Sequence, residues 1–98
     1  MDRIRTHPGE VLREEFMSPL KLSANALALA LRVPATRIGD IIRNEKPRAV
    51  SADTALRLSR YFSTTPQFWM NLQSAYDLSV VEAETGAQIE RDVHPRAA

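Results

Sequence analysis

Between Ser23 and Asn44 the chain reads SANALALALRVPATRIGDIIRN, and this stretch constrains the fold more than any other. Two helical patterns meet there with only Arg32 and Val33 between them. Leu27, Ala28 and Leu31 share one face of the first pattern, and Ser23 is its N-cap. Pro34 opens the second pattern, whose buried stripe is Ile38, Ile41 and Ile42. The small Ala28 stands where one helix would cross the other. Together these features describe a helix-turn-helix, a unit that lays its second helix in the major groove of DNA. The alternative is a helical hairpin inside some other bundle, with a polar face that is merely solvated.

Prolines punctuate the rest of the chain. Pro8, Pro34 and Pro66 each stand where a first helical residue belongs, a position that tolerates a missing N–H. His7 is the expected N-cap of the first helix, with Glu10 placed to reach back to it, and Pro19 is expected to stop that helix. Ser51 caps a fourth helix carrying Ala55, Leu58, Ser59 and Phe62, and Thr65 caps a fifth carrying Phe68, Trp69, Leu72, Ala75 and Tyr76. No segment alternates as a strand. The expected fold is therefore all-α, a compact five-helix bundle containing the helix-turn-helix. Residues 1–80 form the helix-turn-helix and dimerisation domain, and residues 81–98 are a helix extension and flexible tail, frayed from about Thr85 onward.

Ninety-eight residues build one modest core. The chain has no cysteine, so neither a disulfide framework nor a thiolate zinc site is expected, and no other metal or cofactor is implied. No apolar run is long enough to span a bilayer and Met1 begins no signal-peptide pattern, which points to a cytoplasmic protein without a membrane partner. The net charge is only +1, but five basic residues face two acidic ones between Arg32 and Arg48, while residues 77–98 hold two basic against five acidic. A local basic patch of this kind suits DNA. An enzyme is not expected: His7 sits at a helix start, His94 lies in the tail, and Glu14/Glu15 and Glu82/Glu84 read as exposed helix faces.

Opposite the isoleucine stripe, the second helix of the pair presents Thr36, Asp40 and Arg43, with Arg37, Gly39 and Asn44 at the margins. Arginine suits a bidentate contact with guanine, and aspartate accepts from the cytosine amine. Ser23 and the free N–H groups beside it are placed for a backbone phosphate, and Lys46 and Arg48 read as phosphate clamps. Two residues depart from an ideal motif. Arg32 occupies a corner that favours glycine, at roughly 1 kcal/mol, and Gly39 interrupts a helix at about 1 kcal/mol relative to alanine. Leu29 falls on the outer side of its helix, either as a single exposed leucine or as a protein contact.

HPGEVLREEFMSPLKLS at 7–23, VPATRIGDIIRNEK at 33–46 and SADTALRLSRYFSTTPQFWMNLQSAYDL at 51–78 together resemble the HigA (VapI-like) antitoxins of the Cro/cI-type (XRE) helix-turn-helix class. The resemblance implies a homodimer that binds a palindromic double-stranded operator upstream of its own operon. It also implies a HigB-type toxin, an mRNA-cleaving endoribonuclease, as partner. In this sequence the family's DNA contacts would fall on Ser23, Ala24, Thr36, Arg37, Asp40, Arg43 and Asn44. Many relatives carry glutamine just after the cap; here Ala24 stands there and Asn25 is the substitute. The fifth helix suits dimerisation, with Phe68, Trp69, Leu72 and Tyr76 serving core and interface together, or else all pointing inward. A solitary phage-type regulator without a toxin is the alternative.

Overall fold

A computed structural model of the chain describes residues 3–97, so readings that fall on Met1, Asp2 and Ala98 lie outside the described residues. Five helical segments make up the regular structure of that range. The first, α1, comprises Pro8–Val11, a π-helical stretch Leu12–Met17 and Ser18–Leu20. It is followed by α2 (Ala24–Leu31), α3 (Ala35–Ile42), α4 (Ala52–Phe62) and α5 (Pro66–Asp92).

The side-chain caps at His7, Ser23, Ser51 and Thr65 form as the sequence predicts. The Ser23 hydroxyl accepts from the Ala26 N–H at 3.0 Å, Ser51 from Thr54 at 3.3 Å and Thr65 from Phe68 at 3.1 Å. His7 caps α1 through Nδ1, which accepts from the Gly9 N–H at 2.8 Å. Pro34 is the N-cap of α3 rather than its first residue, with extended backbone.

Pro19 does not end α1. Its ring would crowd the carbonyl four residues back, and it offers no N–H to that carbonyl. The wider π turns relieve both problems, and the Ser18 N–H reaches back five residues to the Arg13 carbonyl. The helix then closes at Lys21, where φ is 55° and the Leu22 N–H returns to the Met17 carbonyl. Arg32 (φ 61°) and Ser63 (φ 59°) close α2 and α4 in the same left-handed conformation. Val33 N–H to Ala28 O and Thr64 N–H to Ser59 O complete those turns. Arg32 thus takes the corner conformation expected of a glycine.

Leu12, Leu27, Leu31, Ile38, Ile41, Leu58 and Trp69 form the heart of the core, with Ala28 and Ala55 at the close helix contacts. The Trp69 indole N–H donates to Thr64 Oγ1 at 2.8 Å, so its one polar group is satisfied in an apolar setting. Gln73 holds the loop before α4, accepting from the Val50 N–H at 2.7 Å while donating to Asp77 at 2.9 Å. The expectation of fraying from Thr85 is corrected: α5 continues through Gly86 to Asp92 and closes with Val93 N–H on the Ile89 carbonyl. The helix interior tolerates a single glycine at about 1 kcal/mol, too little to break a helix of this length. This long helix stretches the molecule to 52 Å.

Candidate nucleic-acid interface

α3 packs mainly against α2, and α1 braces its C-terminal end. Gly9 is buried against the end of α3, where a Cβ would lie 1.9 Å from the Ile41 carbonyl oxygen. Only glycine permits this approach. One turn further along α1, an Arg13 Nη1 donates to the Ile42 carbonyl, placing a cation at the negative end of the α3 dipole. His7 stands above this contact, its ring edge-on to Tyr76 at 4.7 Å between centroids. Burial pushes the His7 pKa down, and the charge of Asp77 opposes that shift only in part.

α3 ends at Ile42, and this corrects two sequence expectations. Arg43 and Asn44 lie beyond the helix, Arg43 in extended backbone. In a continuing helix the Asn44 N–H would bond the Asp40 carbonyl. Here the Arg48 N–H takes that carbonyl at 2.9 Å, so the chain folds back along α3. The return loop brings Arg43, Lys46 and Arg48 together. Arg43 Nε donates to the Lys46 carbonyl at 3.0 Å, and Lys46 takes a positive φ of 48°. Asp40 receives Arg43 Nη1 at 3.3 Å and lies 3.8 Å from Arg48 Nη1.

Thr36 is exposed on α3, and Asn25 is exposed at the start of α2. Ser23 is exposed with its oxygen committed to the cap. Ala24 is different: it is half-buried and packs against the core, so only its backbone can serve a phosphate. Arg37 is half-buried, and its Nη1 donates to Asp53 Oδ2 at 2.7 Å. The same oxygen accepts from Arg57 Nε at 2.9 Å, and Arg57 Nη1 caps α2 through the Leu31 carbonyl at 2.8 Å. The Arg57 bond first, then the Arg37 bond, holds the Asp53 carboxyl below the usual aspartate range. Sequence reasoning missed Arg13, Asp53 and Arg57 as parts of this surface. The Asp53/Arg57 spacing of four on one helix was the available signal; the reach of Arg37 across sixteen positions had none.

The aromatic set of α5 does not form one outward face. Trp69 is 0% exposed and belongs to the core of the single chain, so it is not available to an interface. Leu72 and Tyr76 are half-buried, Leu72 against the core and Tyr76 against His7. Phe68 is 39% exposed, while its ring also meets Trp69 edge-on. The other large exposed apolar residues of α5 are Met70, Leu78, Val81 and Ile89.

No protein-family model matches the chain. Individual relatives do. Virulence-associated protein I of Dichelobacter nodosus is 54% identical over 78 residues, 80% of this chain and 70% of that protein. Among solved structures, the Pseudomonas aeruginosa antitoxin HigA with the higBA promoter is 49% identical, with a TM-score of 0.89 over 97% of this chain and 100% of that one. The chain belongs to the HigA antitoxin family. Antitoxin GraA in complex with its operator superposes with a TM-score of 0.91 at 45% identity, covering all of this chain and 97% of that one. Within a HigA-family frame, α2 and α3 are the helix-turn-helix, α1 braces the end of α3, and α4 supplies the Asp53–Arg57 pair beside it. None of the α-helices described is long and apolar enough to cross a membrane.

Proposed function

We propose that this chain is a cytoplasmic DNA-binding antitoxin that represses its own operon and neutralises a HigB-type toxin. The observation that carries the reading is the exposed polar face of α3, flanked by the folded-back loop with Arg43, Lys46 and Arg48. Thr36 and Asp40 are the candidate base readers in this arrangement. Ser23, Ala24 through its N–H, Asn25, Arg37, Arg43, Asn44, Lys46 and Arg48 supply the backbone contacts around them.

A palindromic operator calls for a two-fold dimer with reading helices about one DNA turn, roughly 34 Å, apart. Leu78, Val81 and Ile89 lie within one stripe of α5, and we place the homodimer contact there, with Phe68 at its edge. No enzymatic step is assigned to the chain. A mobility-shift titration on its own promoter, with and without the product of the neighbouring small gene, tests the reading. A retarded complex with the chain alone, and a stable protein complex with the neighbour, are expected. Binding to the promoter no tighter than to unrelated duplex would refute repression, and failure to associate with the neighbouring product would favour the solitary regulator.

A further inference from the structure

Arg37 is the one candidate DNA contact on α3 whose guanidinium is held by another helix. Asp53 in the first turn of α4 takes it at 2.7 Å, and the pair sits at the margin of the reading face, where duplex backbone would lie. Asp53 uses a single oxygen, Oδ2, for both Arg37 and Arg57. The two arginines are not equivalent. Arg57 is also anchored to the Leu31 carbonyl and follows Asp53 by one helical turn, so it is fixed twice. Arg37 makes only the Asp53 contact among the described residues.

We propose that Asp53 is a positioning residue that stores Arg37 in the free protein and releases it to a DNA phosphate when α3 docks. The inference rests on the DNA-binding reading above. The shared oxygen makes the exchange possible, because Arg57 keeps the carboxylate paired after Arg37 has left. Asp53 is itself exposed, so water screens the pair and its loss is modest compared with a phosphate contact that releases a counterion. On an unrelated duplex, whose phosphates approach too loosely to displace Asp53, Arg37 stays with the carboxylate. Asp53 therefore acts as a brake on DNA affinity, and Arg37 counts toward the salt dependence only in complexes where it has been released.

The test is an anisotropy titration over a range of salt for the unaltered chain, D53N, R37A and the double variant. Each is measured on the chain's own promoter fragment and on an unrelated duplex. D53N is expected to bind both duplexes about two- to fivefold more tightly. On the unrelated duplex its log–log salt slope should steepen by about one, while the promoter slope stays as it was. R37A should lower the promoter slope by about one, and D53N should bring no gain in the R37A background. Unchanged or weaker binding by D53N overturns the proposal. So does a gain that persists without Arg37, since the carboxylate would then act only as a like charge facing DNA. Asp53→Ser serves as the second substitution if Asp53→Asn fails to fold. If the unaltered chain binds neither duplex, the DNA-binding reading fails as well, which separates the two outcomes.

Discussion

Gly9 shows how a single residue positions α3, the proposed reading helix. A methyl group there would meet the Ile41 carbonyl oxygen at 1.9 Å, and both partners are backbone with little freedom to move. Gly9→Ala should destabilise the chain by about 3 kcal/mol, at the upper end of the cost of overpacking, as read by urea denaturation. Two residues away, His7 is a buried acceptor. Its Nδ1 takes the Gly9 N–H, so the ring proton sits on Nε2, which has no partner among the described residues. Protonation would abolish that cap. Because burial lowers the folded pKa below 6.5, the unfolded chain takes up its proton first as the pH falls. The His7 contribution to stability is therefore full above about pH 7, declines as pH drops below 6.5, and levels off once the folded His7 itself protonates. His7→Asn keeps a capping side chain but removes the titration. The melting temperature of this variant should accordingly fall less between pH 7 and pH 5 than that of the unaltered chain.

At the scale of elements, the caps and apolar stripes were legible because they are local. Ser23, Ser51 and Thr65 each bond an N–H three residues on, and the stripe of Ile38 and Ile41 is buried as its spacing requires. Arg32 was legible as a left-handed corner for the same reason. Helix ends were less so, because partners distant in sequence decide them. α3 stops at Ile42 when Arg48 and Arg13 take its last carbonyls, and α1 runs through Pro19 because π turns make room for the ring. The expectation that the α5 aromatics serve core and interface together fails at Trp69, which Phe16 and Thr64 enclose within the single chain. Gly39 tests the role of α3 as a reader. A Cβ there would meet nothing within 4 Å, so Gly39→Ala should stabilise the free protein by about 1 kcal/mol. If α3 lies deep in the major groove at this position, the same methyl should weaken promoter binding roughly tenfold, the scale of one base-pair contact. Thermal melts and anisotropy on one variant give the two readouts.

The whole molecule is a small bundle with one long helix extending from it. Beyond Val81, α5 is exposed at every described position except the half-buried Gly86. Ile89 therefore gives the folded chain little. A charge at Ile89 should leave the helical circular dichroism unchanged and still shift the species seen by light scattering from dimer to monomer, if the α5 stripe holds the dimer. Ile89→Glu is the substitution, and a dimer that survives it moves the interface elsewhere. The electrostatics of the DNA face are also a whole-molecule property. Near-neutral net charge conceals four arginines (Arg37, Arg43, Arg48 and Arg57) gathered on two aspartates, Asp40 and Asp53. The central claim, that the exposed face of α3 reads the operator, is tested most directly by Thr36→Ala. Thr36 is exposed, so its loss should not change the melting temperature. Measured by anisotropy at fixed salt, the affinity of this variant for the chain's own promoter should fall by about 1–3 kcal/mol while its affinity for an unrelated duplex stays the same. Unchanged promoter affinity, or an equal loss on both duplexes, would contradict the account.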